Sequence, residues 1–106
     1  MSVRVRGKRD EYINQFVAVM KKLATDRPRA DVVLYRRNSA SIRIRVIDPD
    51  FKGMRDTKRD SLVWKYLKEL PDDVLWHVSL VLTFTPEEAE TSPLNYDFEH
   101  PIRMRL

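Results

Sequence analysis

Arg43 and Arg45 stand two residues apart in the run Ser41-Ile-Arg-Ile-Arg-Val-Ile47, so in an extended chain both guanidinium groups fall on one side. At that spacing they repeat at nearly the separation of phosphates along a nucleic-acid strand. Each can grip an oxyanion through two parallel N–H donors. Arg36 and Arg37 precede them, and Lys52, Arg55, Lys58 and Arg59 follow, so a basic surface could extend either way. The chemistry implied is contact with RNA or DNA, non-specific and strongly salt-dependent. The plain alternative is a solvated sheet face whose charges deter edge aggregation.

Other reactive types are sparse. Asp48 and Asp50 follow a strand end, where catalytic or metal-binding carboxylates occur, but Pro49 between them points to a turn and to helix capping. No general acid, nucleophile or ligand set accompanies them. His77 is one histidine with no cysteine near it, far from a metal site, and His100 precedes Pro101. The chain has no cysteine. That excludes disulfides, thiolate nucleophiles and thiolate metal sites together, and it fits a reducing compartment. The expectation is a protein that is no enzyme and holds no cofactor.

The elements that would carry these residues follow from periodicity. Asp10 is a candidate cap for a helix whose apolar stripe is Ile13, Phe16, Val17, Met20 and Leu23, stopped at Asp26-Arg27-Pro28. Asp31 to Arg37, rich in β-branched and aromatic residues, predicts a strand. Asn38-Ser39 turns the chain, and Ser41 to Ile47 alternates as a second strand, making an antiparallel hairpin. Ile42, Ile44 and Val46 point one way, Ser41, Arg43 and Arg45 the other. The register is open, so either Tyr35 or Leu34 could share the arginine face. Asp56 or Thr57 caps a second helix with Leu62, Val63, Tyr66, Leu67 and Leu70 inward. A third strand then puts Trp76, Val78, Leu80, Leu82 and Phe84 on one face, and Pro86 closes it. Trp64 and Trp76 read as core or contact residues, and Glu87 and Glu88 as the first turn of a short helix.

A hairpin followed by a helical crossover implies a three-stranded mixed sheet with its third strand parallel to a neighbour. Both helices would pack on the face carrying Ile42, Ile44, Val78 and Leu80, leaving the arginine face open. The expected organisation is a flexible basic tail over 1–9, a single α+β domain over 10–90, and an extended C-terminal tail over 91–106. In that tail Leu94, Tyr96 and Phe98 alternate before His100-Pro101. It would add a strand, bury into another subunit or, the favoured reading, lie across its own domain.

The 106 residues suffice for one domain with a modest core. The net charge of +4 conceals an asymmetry. Residues 27–59 hold ten cations and four acids, net +6, whereas residues 60–100 hold two cations and nine acids, net −7. One side of such a chain could face an anionic polymer, or two copies could associate head to tail. No apolar run is long enough to cross a bilayer, and Val3 and Val5 alternate with Arg4 and Arg6 rather than forming a signal-peptide core. A cytoplasmic protein with no membrane partner is expected.

The order helix, strand, strand, helix, strand resembles the BolA-like proteins, whose fold is related to the type II KH domain. Phe51-Lys-Gly53 looks like that family's Phe-x-Gly. Arg59 and Val63 fall where its second main helix has Arg and Val. Thr83-Phe-Thr-Pro-Glu-Glu88 is similar to its Thr-Tyr-Thr-Pro-Glu-Glu ending. The resemblance implies a partner of monothiol glutaredoxins around an iron–sulfur cluster, with histidine as the ligand supplied. Here Asp60 corresponds to the helix histidine and Leu82 to the one in the last strand; His77 matches a more variable upstream histidine. Leu82 has no lone pair for iron, and Asp60 is a hard ligand. A KH-type clamp needs Gly-x-x-Gly to bring backbone to phosphate, and Gly53-Met-Arg-Asp56 ends in an acid.

Two functions follow as expectations. One is a binding or regulatory module contacting nucleic acid through Arg36, Arg37, Arg43, Arg45, Lys52, Arg55, Lys58 and Arg59. The other is a protein-interaction adaptor, either a homodimer or a diverged BolA-like glutaredoxin partner.

Overall fold

The structure, a computed structural model, describes residues 2–101. Its elements are β1 (Ser2–Arg6), α1 (Glu11–Asp26), β2 (Asp31–Asn38), β3 (Ser41–Ile47), a 3₁₀ turn (Pro49–Phe51), α2 (Asp56–Leu67), α3 (Asp72–Leu75), β4 (Val78–Phe84), α4 (Pro86–Thr91) and α5 (Pro93–Glu99).

Asp10 caps α1 as its sequence position implies: the carboxylate accepts from the Ile13 backbone N–H at 2.8 Å. The α1 stripe is fully inward, with Ile13, Phe16, Met20 and Leu23 all at 0% exposure. The cap of α2 differs from expectation. Arg55, not Asp56 or Thr57, holds the N-cap position and makes no side-chain cap bond. Two residues after the 3₁₀ turn stands Gly53, whose φ of +81° lies where a side chain would be strained.

Among the described residues the sheet has four strands in the order β1-β2-β3-β4, one more than expected. The extra strand is β1, formed by Ser2–Arg6 where a flexible tail was expected. It pairs parallel to β2, setting Val3 beside Val32 and Val5 beside Leu34. That apolar alternation lets the residues join the core instead of staying solvated. β2 and β3 form the antiparallel hairpin, and β4 runs parallel to β3. Tyr35 pairs with Arg43, which settles the open register: Tyr35, not Leu34, lies on the arginine face.

One irregularity sets the whole architecture. Val78 pairs with Ile42 but Leu80 pairs with Arg43, so β4 carries one extra residue at this point. A one-residue slip changes which side faces where. Val78 and Val81 therefore pack into the core with α1 and α2, while Leu80, Leu82 and Phe84 turn to the opposite face beside Arg43, Arg45 and Ile47. The placement of Leu80 on the helix side was thus incorrect.

The opposite face accordingly carries a second apolar cluster of Val33, Tyr35, Leu82, Phe84 and Phe98. Phe98 belongs to α5, so the face is covered. In place of an extended tail, Pro86–Thr91 and Pro93–Glu99 are helical. Thr85 and Glu88 form a reciprocal capping box on α4, and Ser92 caps α5 with Pro93 at its first position. Leu94, Tyr96 and Phe98 alternate in sequence, yet the Ser-Pro start prevails over a strand reading. The remainder of the predicted tail, 102–106, lies outside the described residues, as does Met1 of the predicted N-terminal tail.

Candidate functional site

The two arginines of β3 lie beneath α5. Arg43 donates to Asp97 at 3.2 Å and to the Tyr35 hydroxyl at 3.3 Å. Arg45 donates to Asn95 Oδ1 at 3.0 Å and forms a close ion pair with Glu99, and its guanidinium stacks 4.9 Å from the Phe98 ring. Arg45 is only 4% exposed. The other carboxylate oxygen of Glu99 meets Arg6 of β1 at 3.4 Å. Arg45, with a smaller contribution from Arg6, holds the Glu99 carboxyl below the usual carboxylate range. The expectation of an open cationic face is overturned: its charges are neutralised within the chain, and its apolar floor excludes water.

The remaining predicted site residues do not join that surface. Arg36 turns to the α1 side of the sheet and donates to Asp10 at 2.6 Å. Arg37 is half-buried at the end of β2, where the hairpin register shifts. Arg59 is buried in α2, donating to the Phe51 carbonyl at 2.9 Å and to Glu88 at 2.5 Å. Lys52, Arg55 and Lys58 are exposed around the 3₁₀ turn and the start of α2, interspersed with Asp56. The structure therefore divides the eight cations among separate places. The acids that pair with Arg43, Arg45 and Arg59 (Asp97, Glu99 and Glu88) sit far along the chain, and only the two-residue spacing of Asp97 and Glu99 mirrors that of Arg43 and Arg45.

A cleft of about 720 Å³ opens between α2, β4 and the α4–α5 arm. Asp60 and Leu82, the two positions where the resemblance implies ligand histidines, both line it, together with the Arg59–Glu88 pair and Leu94. Arg59 depresses the Glu88 carboxyl, and the Thr85 backbone N–H contributes to the same effect. These residues do not fit an iron–sulfur cluster. Leu82 offers no donor atom and is buried, Asp60 is a hard oxygen ligand, and Glu88 is already committed to Arg59. Among the described residues no group of three or more His, Asp or Glu side chains could hold a metal ion.

Asp48 is fully buried and does structural work. It accepts from the Asp50 backbone N–H at 2.8 Å and from Arg27 Nε at 2.7 Å, while Asp50 pairs with Arg29 at the surface. His77 is half-buried and stacked on Tyr12, with ring centroids 4.1 Å apart. Trp76 is not a core residue: it is 83% exposed, beside Leu75 and Val78 in a shallow depression. Leu94 and Tyr96 of α5 are also exposed apolar residues, Leu94 at the cleft.

Among the described residues no helix is long and apolar enough to cross a membrane. No protein-family model matches the chain, and no curated protein matches it. A solved structure, BolA1 from Arabidopsis thaliana, superposes with a TM-score of 0.56 at 22% sequence identity, covering 76% of this chain and 98% of that one. Nearly all of BolA1 thus has a counterpart here, whereas about a quarter of this chain has none in BolA1. The architecture is BolA-like, a mixed sheet with α1 and α2 on one face.

Proposed function

We propose that this chain is a small, non-enzymatic binding and regulatory domain that works through protein contact. The observation that carries the reading is Trp76, an indole 83% exposed beside Leu75, Val78 and Asp72. Tryptophan is enriched among the few residues that dominate the energetics of protein interfaces, and this one is free to be covered. The internal neutralisation of Arg43 and Arg45 supports the same choice, because it withdraws the strongest anionic-polymer surface. A cytoplasmic setting accompanies the reading and rests on the absence of cysteine.

The test is capture of binding partners from native extract by the intact chain and by Trp76→Ser, each with and without nuclease. A partner that survives nuclease and is lost with Trp76→Ser supports the reading. Light scattering of both chains separates a homodimer from a foreign partner, and a recovered glutaredoxin would identify the adaptor class. The nucleic-acid reading now rests on the exposed trio Lys52, Arg55 and Lys58. It is favoured instead if the retained material is nuclease-sensitive and released by salt.

A further inference from the structure

The outer face of the sheet has the composition of a recognition site, and α5 occupies it as a ligand would. The floor is apolar and aromatic, built from Val33, Tyr35, Leu82 and Phe84, with Phe98 inserted at 0% exposure. Around it stand three cations, Arg6, Arg43 and Arg45, which meet Asp97 and Glu99. The fit is end-on as well: the Phe98 carbonyl accepts from the Tyr35 hydroxyl at 2.9 Å and from Arg6 at 3.4 Å. The segment that lies on this surface is acidic, aromatic and helical.

α5 spans only Pro93–Glu99, too short to hold helical form without its docking surface. It inserts one aromatic plug, is hydrogen-bonded through the Phe98 carbonyl and the Asn95 side chain, and sets Asp97 and Glu99 against the cations, while Leu94 and Tyr96 are 60% and 67% exposed. Ser92 alone separates it from α4, serving as end cap of one helix and start cap of the other, and the Asn95 side-chain amide donates across this junction to the Ala89 carbonyl at 2.9 Å. The fit also leaves a gap: Arg45 Nε is buried and, among the described residues, has no hydrogen-bond partner. A ligand with one more carboxylate oxygen there would match the face better than α5 does.

We propose that the sheet face formed by Arg6, Arg43, Arg45 and Tyr35 is a binding site for acidic–aromatic helical segments of partner proteins, with α5 as its intramolecular stand-in. This deepens the reading of the chain as a protein-binding domain and rests on it. A tethered occupant has the advantage of high effective concentration, so the site reads as closed until α5 is weakened or outcompeted.

The test uses a fluorescent peptide spanning residues 91–101, a scrambled peptide, and the full-length chain as wild type and as Glu99→Lys. Charge reversal at 99 sets a cation against Arg45 and Arg6 and should release α5, read by loss of the amide-exchange protection of α5 with the rest of the chain intact. The peptide should bind Glu99→Lys on the order of tenfold or more tightly than wild type, and a peptide carrying Phe98→Ala should fail to bind. Equal binding of the scrambled peptide, or displacement of the peptide by a single-stranded oligonucleotide, overturns the assignment to protein segments. So does a released α5 with no peptide binding, or a Glu99→Lys chain in which α5 stays docked. A negative peptide result beside an intact Trp76-dependent partner removes this proposal and leaves the broader function standing.

Discussion

Tyr35, on β2, donates its buried hydroxyl to the backbone carbonyl of Phe98, near the end of α5, at 2.9 Å, with the two rings 4.9 Å apart and inclined at 59°. This contact joins residues 63 positions apart and closes the second apolar cluster against water. A buried phenol without an acceptor is costly, so the carbonyl of Phe98 stabilises the sheet as well as the arm.

Phe98→Ala should therefore lower stability by about 3–5 kcal/mol, the range for truncating a fully buried phenylalanine. Urea unfolding measures it. A loss below about 1 kcal/mol would mean that α5 is not docked in solution.

Glu88→Gln keeps the shape of the capping box but removes the charge facing Arg59, which is buried. Because Glu88 itself is half open to water, the cost should be about 1–2 kcal/mol rather than that of a fully buried pair. Thermal unfolding of the variant checks this, with Glu87→Gln as a neighbour that should change little.

Acid should weaken the arm in a definite direction. The carboxyls of Glu99 and Glu88 are held below their usual value of 4.5 by Arg45 and Arg59 respectively. A depressed folded-state value means that the unfolded chain takes up protons first. The stabilisation is then fully present above about pH 4.5 and is lost as pH falls through the folded-state values. The stability difference between wild type and Glu99→Gln should be flat from pH 7 to 5 and shrink below that; a difference growing on acidification contradicts the ion pair.

Asp10→Ala removes the cap of α1 and the acceptor of Arg36 at once. The expected loss is about 1–2 kcal/mol, seen in the denaturation midpoint. Asn at the same position should recover most of it, because its amide oxygen can still accept from Ile13.

Trp76→Phe should leave stability within about 0.5 kcal/mol of wild type, since the side chain is mostly in water. It should also remove the acrylamide-accessible, red-shifted part of the tryptophan emission, leaving the half-buried Trp64. Unquenched emission from Trp76 in the wild-type chain at working concentration would instead indicate that a second copy covers it.

The local chemistry of this chain was readable in order. Alternation at Ile42, Ile44 and Val46, helical spacing from Ile13 to Leu23, and the Asp10 cap are each set by neighbours within a turn or a strand. The resemblance carried by Phe51-Lys-Gly53 and Thr83–Glu88 identified the BolA-like architecture on those same local patterns. The placement of Arg43 and Arg45 on the side opposite the aliphatic stripe was legible too. What covers that side was not.

Three features were decided only by the tertiary structure, because each depends on partners distant in sequence. β1 exists because Val3 and Val5 find Val32 and Leu34 beside them; alone they are two apolar residues among cations. The extra residue in β4 sends Leu80, Leu82 and Phe84 outward, and pairing register is not encoded in an alternation that works either way up. That outward apolar surface calls for a lid. α5 supplies it, fitting Phe98 into the cluster and setting Asp97 and Glu99 against Arg43 and Arg45. Charge spacing can be read from a strand by itself; whether that charge meets water or a carboxylate depends on where the rest of the chain comes to lie.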